Sequence, residues 1–281
     1  MFISLTRSSF RRGYRGRTIR QNLLNRYVNL YQASNDEDLK ITKRSASTTA
    51  MTVALSAAKA PLVSGAALTF FQVSPVLACQ ALWAAPYPTI SDVRRKKSTG
   101  GLPPLPYFSM FANGFLWVVY GCVCDFNPTI IIPNFVGFIA GGYYTSQFAT
   151  HSSGEYNLKP YYVGAAALMG TTGLVGALLD QATAQNAIGL IGCGVVVAML
   201  GGPLQVMKKV IDEKSTKDLP LPMAVATVVN SCCWLGFGSL VVHDPYVWAP
   251  NLIGVTSGVV QLGLIAKYGI HNDEKATTGK D

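Results

Sequence analysis

Long stretches without a charged residue alternate with short charged segments after residue 59. Seven of these stretches have at least 20 residues, and they cover residues 60–91, 98–124, 126–154, 160–179, 181–207, 219–243 and 245–266. A transmembrane α-helix needs about 20 mainly apolar residues, and backbone polar groups in lipid must be satisfied within the segment. The period-2 alternation of a membrane β-barrel is absent. The pattern therefore predicts an all-α membrane protein with seven transmembrane helices.

The chain also repeats itself at a fixed offset of 117 residues. The matched positions run without a gap: Pro86 pairs with Pro203, Asn113 with Asn230, Trp117 with Trp234, Gly121 with Gly238, Pro133-Asn134 with Pro250-Asn251, and Gly137 with Gly254. Lys-Ser-Thr also returns, at 97–99 and 214–216. Internal duplication in so apolar a chain is typical of transporters built from two like halves.

Basic residues indicate how the two halves are oriented. The loop after the first span contains the Arg-Arg-Lys-Lys run at 94–97, and the loop after the fifth contains Lys208, Lys209, Lys214 and Lys217. The positive-inside rule puts both loops in the cytoplasm, so the two three-helix units are parallel and need one further helix between them. We therefore predict a 3+1+3 arrangement: a first repeat over 60–154, a linker helix within 155–180, a second repeat over 181–268 and a tail over 269–281.

The basic character of the chain belongs to its N-terminal tail, residues 1–59. The formal net charge is +9, yet residues 1–60 hold eleven Lys/Arg and three acids, which leaves only +1 for the remainder. Nucleic-acid binding is therefore not indicated. The tail lacks the apolar core of a secretory signal. Its Arg-rich and Ser-rich composition fits either a plastid or mitochondrial transit segment or a disordered tail on anionic lipid. The plasma membrane is the favoured location, with an organellar membrane as the alternative.

Six segments carry a family resemblance. They are APYPTISDVRRKKSTGGLPPLPY at 85–107, NGFLWVVYG at 113–121, PNFVG at 133–137, GGPLQVMKKVIDEKSTKDLP at 201–220, NSCCWLGFG at 230–238 and DPYVWAPNLIG at 244–254. Together they resemble the SWEET (MtN3/saliva) family of sugar transporters over about residues 60–270. The resemblance implies four hinge prolines, which fall on Pro86, Pro106, Pro203 and Pro220, although the repeat partner of Pro220 is Pro103. The alternative is that proline is simply common in membrane helices.

The resemblance also implies an outer gate. Tyr120, Gly121 and Asp244 resemble family positions near the outer helix ends, and Asp244 is expected to accept a hydrogen bond from Tyr120. The competing interpretation makes Asp244 an exposed loop acid.

Paired amides and indoles suggest a binding site between the two halves. Asn134 and Asn251 lie inside apolar stretches, where an amide is costly unless it has partners, and each offers two donors and an acceptor for sugar hydroxyls. Trp117 and Trp234 offer flat apolar platforms with an N–H donor. The alternative is that these residues only join helices or anchor them at the interface.

A second pair, Asn113 and Asn230, lies one helical turn before the indoles, so we expect both to point into the same cavity. In the family this pair bears on substrate size, and medium polar side chains there favour a hexose such as glucose over a disaccharide.

The absence of ionisable residues near the span centres argues against proton coupling. The sequence therefore predicts a bidirectional uniporter for mono- or disaccharides that works by alternating access. The alternative is a PQ-loop-type transporter of another solute such as an amino acid, although the Pro-Gln pair is replaced by Pro86-Tyr87 and Pro203-Leu204. A seven-helix receptor or sorting protein would not show the repeat. No enzyme activity, cofactor or metal site is predicted. The resemblance implies assembly into homo-oligomers.

Overall fold

The computed structural model describes residues 60–270 except 153 and 200, together with the isolated positions 22 and 51. The remainder of the tail at 1–59 and the segment 271–281 lie outside the described residues. The described part contains no β-strand. Its helices are α1 (Ala66–Ala84), α2 (Tyr87–Lys96), α3 (Leu105–Val123), α4 (Pro128–His151), α5 (Lys159–Leu178), α6 (Gln181–Met199), α7 (Gly201–Glu213), α8 (Leu221–Gly236), a π-helical turn (Phe237–Val241) and α9 (Pro245–Tyr268).

These elements form seven rods within the described residues, because α1 continues into α2, α6 into α7, and α8 into the π-helical turn. Five rods are long and apolar enough to cross a membrane by length and composition: Ala66–Lys96, Lys159–Leu178, Gln181–Glu213, Leu221–Val241 and Pro245–Tyr268. The other two are α3 and α4, in which asparagine, proline and tyrosine dilute the aliphatic residues. The prediction of seven spanning helices in an all-α protein is confirmed.

The two segments predicted as basic loops are partly helical, because the helices extend further than the uncharged stretches. In this respect the prediction is wrong. Residues 94–96 form the last turn of α2, and Lys208 and Lys209 lie inside α7. Arg and Lys favour helix, and at the C-terminal end of α2 their charge also complements the helix dipole. Lys214 and Lys217 remain in the following loop.

The two halves pack in the same way. In the first half α4 packs against both α1 and α3, and in the second half α9 packs against both α6 and α8. Across the halves, α1 contacts α8 and α3 contacts α6, so the first helix of each half meets the second helix of the other. The linker helix α5 lies against α3 and α6. The arrangement is therefore two three-helix repeats joined by one helix, as predicted.

The duplication extends to individual backbone angles. Lys97 and its partner Lys214 both have φ of 52°, and Phe126 and its partner His243 have φ of 52° and 54°. Non-glycine residues rarely adopt this left-handed conformation, so the two matched pairs mark equivalent helix ends. They terminate α2 and α7 on one side of the bundle and precede α4 and α9 on the other.

The repeat departs from a constant offset at the start of its second helix. The first turn of α3 uses the carbonyl of Pro104, whereas that of α8 uses the carbonyl of Pro220, which is 116 residues later. The preceding loop contains Pro103 and Pro104 in the first half but Pro220 alone in the second. The gapless alignment therefore hides a one-residue difference in loop length.

Glycines allow the close packing of α3 on α4. A Cβ atom on Gly114 would lie 2.6 Å from the backbone nitrogen of Phe138, and one on Gly141 would lie 2.6 Å from that of Phe111. A larger side chain at either position would push the two backbones apart. Small residues at such crossings are the usual way for membrane helices to approach closely.

Candidate functional site

Each of the two predicted indoles reaches the first helix of the opposite half. The ring of Trp117, on α3, packs on α6 so closely that a Cβ atom on Gly192 would lie 3.1 Å from it. Trp234, on α8, donates its Nε1 hydrogen to Cys79 Sγ of α1 at 3.1 Å. Trp117 and Trp234 border one apolar cluster at the centre of the bundle. The structure therefore brings both indoles to the interface between the repeats.

Each indole is also held by an aromatic neighbour one turn along its own chain segment. Trp117 stacks edge-on against Tyr120 with ring centroids 5.2 Å apart, and Trp234 does the same with Phe237 at 5.9 Å. Such edge-to-face pairs contribute about 0.5–1.5 kcal/mol beyond area burial. The repeat thus preserves the aromatic neighbour of each indole together with its position.

The second amide pair is bonded differently in the two halves. Asn113 Oδ1 accepts from Nε1 of Trp117 at 3.2 Å. Asn230 Oδ1 instead accepts from Cys79 Sγ at 3.3 Å, and Cys79 in turn accepts from Trp234. Asn113 therefore pairs within its own helix, whereas Asn230 reaches across to α1. The expectation that both amides point into one cavity stays a prediction.

Cys79 is the central residue that the sequence did not reveal. It is buried and bonded to both Asn230 and Trp234. The matching position in the other repeat is Val196, so Cys79 is not one of the repeated residues. A thiol in an apolar stretch is usually a small hydrophobic residue, and only its contacts distinguish it here.

The first amide pair satisfies part of its hydrogen bonding locally. Asn134 Nδ2 donates to the carbonyl of Ile130 at 2.8 Å, and Asn251 Nδ2 donates to the carbonyl of Val247 at 2.7 Å. Each bond returns to the residue four positions earlier in the same helix. Among the described residues neither Oδ1 atom has a hydrogen-bond partner, so an acceptor and a second donor hydrogen stay available on each side chain. The two amides make no hydrogen bond to one another.

The predicted gate residues are in direct contact. The hydroxyl of Tyr120 donates to Asp244 Oδ2 at 2.6 Å, and Gln185 Nε2 of α6 approaches the same oxygen at 3.4 Å. Asp244 Oδ1 accepts from the backbone nitrogen of Tyr246, which makes Asp244 the N-cap of α9. Tyr120 is 0% and Asp244 7% exposed. The interpretation of Asp244 as an exposed loop acid is therefore wrong, and Gln185 is a polar partner that sequence reasoning missed.

This contact breaks the symmetry of the repeat. The partner of Asp244 is Asn127, which caps α4 in the same way through a bond to the backbone nitrogen of Thr129 at 3.1 Å. The partner of Tyr120 is Phe237, which has no hydroxyl. The helix cap is thus duplicated, whereas the hydrogen bond from Tyr120 to Asp244 exists once. Gly121 lies beside this contact, against the side chain of Ile131.

Pro86 and Pro203 lie at matched positions in the two longest rods. Pro86 stands between α1 and α2, where proline has no N–H to continue the helical ladder. Pro203 lies within the rod Gln181–Glu213, where it likewise has no N–H to donate. Both positions are therefore places at which a rod can bend.

The other two proposed hinge residues begin helices. Pro106 lies in the first turn of α3, and Pro220 is the N-cap of α8. When the two helices are aligned by their first residues, Pro104 matches Pro220 and Pro106 matches Pro222. Pro203 and Pro220 line a common cleft of about 370 Å³ in the second repeat, together with residues of α8 and α9. The hinge roles of the four prolines stay predictions.

The central residues carry no formal charge. Asp244 is the single charged side chain that is buried in the described part of the chain. No group of three His, Cys, Asp or Glu residues there could hold a metal ion. What remains at the interface is a set of amides, indoles and a thiol, which can bind a neutral polar molecule through hydrogen bonds and apolar faces.

Comparison with known proteins agrees with this chemistry. The family model described as "Sugar efflux transporter for intercellular exchange" matches residues 70–155 and 186–273, one match for each repeat. The chain is 29% identical to the bidirectional sugar transporter SWEET3 of Arabidopsis thaliana over 70% of this chain and 78% of that one. It is also 29% identical to SWEET2 of the same plant, over 70% and 85%.

A solved structure of a eukaryotic SWEET transporter has the same fold. It superposes with a TM-score of 0.66 at 24% identity and covers 72% of this chain and 96% of that one. The duplicated three-helix unit, the paired residues at its interface and the two family matches lead to one conclusion: this multi-pass membrane protein belongs to the MtN3/SWEET family of sugar efflux transporters.

Proposed function

We propose that this chain is a bidirectional facilitative transporter of sugars, with a hexose such as glucose as its preferred substrate. The observation that carries the proposal is the set of uncharged hydrogen-bonding side chains and indoles at the interface of the two repeats. A sugar needs donors and acceptors for its hydroxyls and an apolar surface for its C–H face. The names of the relatives, which are bidirectional sugar transporters, support the same substrate class.

Asn134 and Asn251 are the proposed hydroxyl-binding residues, with Trp117 and Trp234 as the platforms. Each amide is already oriented by its bond to its own helix, so little side-chain entropy is lost when a sugar binds. Asn113 and Asn230 lie one turn away on the helices of the indoles, and their size limits the space left for a second sugar ring.

The proposed mechanism is alternating access without coupling to an ion. The hydrogen bond from Tyr120 to Asp244 holds the outer end closed, and opening requires that bond to break. Bending at Pro86 and Pro203 moves the inner segments α2 and α7. The proposed sugar-binding amides and indoles carry no charge, and the one buried carboxylate, Asp244, is bonded to Tyr120 at the outer end. We therefore expect the sugar gradient alone to drive net flux.

Counterflow of labelled glucose in proteoliposomes tests the proposal. Asn134→Ala and Asn251→Ala should each lower exchange at least tenfold, because each removes hydrogen bonds to the substrate worth about 1.5 kcal/mol. Asn157→Ala is the matched control. Asn157 lies in the loop before α5, where its Oδ1 accepts a hydrogen bond from the backbone nitrogen of Lys159. Unchanged exchange in both site variants would refute the site.

Two further outcomes separate the alternatives. Accumulation of sugar above equilibrium under a proton gradient would refute uniport, and robust sucrose transport without glucose transport would refute the hexose preference. Exchange of an amino acid without any sugar would favour the PQ-loop alternative. The plasma membrane location and homo-oligomeric assembly stay predictions. Imaging the chain with and without residues 1–58 tests the location.

A further inference from the structure

An apolar groove runs along the outside of the first repeat, between α2 and α4. It is open to the outside of the bundle and has a volume of about 400 Å³, and one end is lined by Phe135, Val136, Ile139 and Ala140. The lining residues of α4 extend from 135 to 144, which is about 13 Å of helix at 1.5 Å per residue. That length is close to half of a hydrocarbon core about 30 Å thick, which is the length available to one acyl chain in a leaflet.

The other end of the groove is aromatic and basic. Tyr87 and Tyr143 line it, and Arg94 Nη1 donates to the hydroxyl of Tyr143 at 2.9 Å. The neighbouring Arg95 is engaged instead with Asp92 Oδ1 at 2.8 Å. A guanidinium has five donor hydrogens, and the bond to Tyr143 uses one of them. The bond to Tyr143 holds the remaining donors of Arg94 beside this end of the groove.

The second repeat does not reproduce this combination. The positions that match Tyr87, Arg94 and Tyr143 are occupied by Leu204, Ile211 and Val260. A cleft does recur in the second repeat, where Ser257 and Gln261 match Ala140 and Tyr144, but its aromatic and basic end does not. That end is a property of the first repeat, on the side of the bundle that the positive-inside rule assigns to the cytoplasm.

We propose that this groove binds one anionic glycerophospholipid of the cytoplasmic leaflet. The acyl chain lies along α4 from Tyr143 towards Phe135, and the phosphate accepts hydrogen bonds from Arg94. Anionic lipids are concentrated in that leaflet, and guanidinium–phosphate bonds are among the strong charge-assisted pairs. The site is separate from the sugar site, so it does not depend on which solute is transported. Because α2 begins directly after Pro86, a lipid here braces a segment that we expect to move.

Quenching of tryptophan fluorescence by brominated lipids tests the site. The full chain is placed in phosphatidylcholine vesicles that contain either brominated phosphatidylserine or brominated phosphatidylcholine. Trp83 reports on the groove, because its ring packs on α4 at Gly137 and its carbonyl accepts from the hydroxyl of Tyr144, a residue of the groove wall. Trp83→Phe identifies its share of the signal.

Two arginine variants form the matched comparison. Arg94→Gln should reduce the preference for the anionic lipid about tenfold, through loss of a charge-assisted bond. Arg95→Gln removes the same charge from the same segment and should reduce it no more than about threefold, since its effect is limited to screened surface attraction. An equal loss in both variants would mean unspecific attraction and would overturn the proposal.

Ala140→Leu tests the acyl chain, because it fills the groove without changing any charge. We expect it to reduce quenching of Trp83 by both brominated lipids, with the thermal midpoint as a check that the chain is folded. Unchanged quenching in a folded variant contradicts the proposal. If Ala140→Leu instead dissociates an oligomer of the wild-type chain, the groove is covered by a second copy and the proposal is wrong.

Discussion

Replacing Tyr120 by phenylalanine removes one hydroxyl group from the outer contact and leaves the aromatic ring in place. The lost bond, to Asp244 Oδ2, is 2.6 Å long and buried. A hydrogen bond to a charged group contributes about 1.5–3 kcal/mol, which corresponds to roughly a 10- to 150-fold shift between closed and open states. Asp244 keeps its bond from the nitrogen of Tyr246 and the approach of Gln185. We therefore expect a shift near the lower limit, about tenfold towards the outward-open state.

Accessibility of Cys79 measures this shift. Cys79 is buried at the centre of the bundle, against Trp234 and Asn230, so an external reagent reaches it only after the outer end opens. The chain has six cysteines, and the other five are replaced by serine or alanine. A membrane-impermeant thiol reagent is then added to vesicles from the side opposite the basic segments, and Tyr120→Phe should raise the modification rate about tenfold.

Tyr246→Phe is the control for this experiment. It also removes a hydroxyl near the outer end, but that hydroxyl donates to Asn186 Oδ1 at 3.2 Å and does not touch Asp244. Its modification rate should equal that of the parent chain. If Tyr120→Phe leaves the rate unchanged in a folded protein, or if both variants raise it equally, the hydrogen bond from Tyr120 does not hold the outer end closed.

Three further predictions concern packing, bending and charge. Gly114→Ala should lower the thermal midpoint, because overpacking against α4 costs about 1–3 kcal/mol of folding free energy. Gly170→Ala should leave the midpoint unchanged, since no atom lies within 4 Å of the new Cβ. Equal midpoints would contradict the packing argument. Pro86→Ala should slow glucose exchange severalfold in a folded protein because it restores a helical N–H, and Pro88→Ala, in the first turn of α2, should not. The hydrogen bond and charge of Lys209, 2.6 Å away, lower the pKa of the exposed Asp218 carboxyl below 3.8. This pair therefore stabilises the fold at pH values above the ordinary carboxyl pKa of 3.8, and the stabilisation is lost as the pH falls through the lowered pKa. Asp218→Asn should slightly lower the midpoint at neutral pH, and a difference that persists at pH 2 would contradict this assignment.

The position of the helices could be read from the sequence because lipid imposes one strong constraint. Uncharged stretches of spanning length identified all seven rods, and the repeated residues identified the two halves. The helix ends were less predictable. Arg94 and Lys209 are helical although they are charged, since a helix continues into water wherever its residues favour it.

The contacts at the interface between the repeats followed from the sequence only in part. Trp117 and Trp234 were identified because they recur at a fixed offset, and both lie at the interface. Cys79 and Gln185 were missed because neither recurs as the same residue. Their importance rests on bonds to residues 151 and 59 positions away, and a pattern along the chain carries no information about such pairs.

By itself the sequence determined the all-helical class, the seven spans, the internal duplication and the family. The first three follow from the composition of segments and from the residues that recur between them, and the family follows from the resemblance of six segments between 85 and 254 to its motifs. Only the tertiary structure decided which helices cross between the halves, that Asp244 is buried against Tyr120, and that Arg94 stands at the end of an apolar groove. Each of these depends on the rotation and close approach of whole helices. Glycines such as Gly114 and Gly141 allow that approach, and three-dimensional packing then selects the partner.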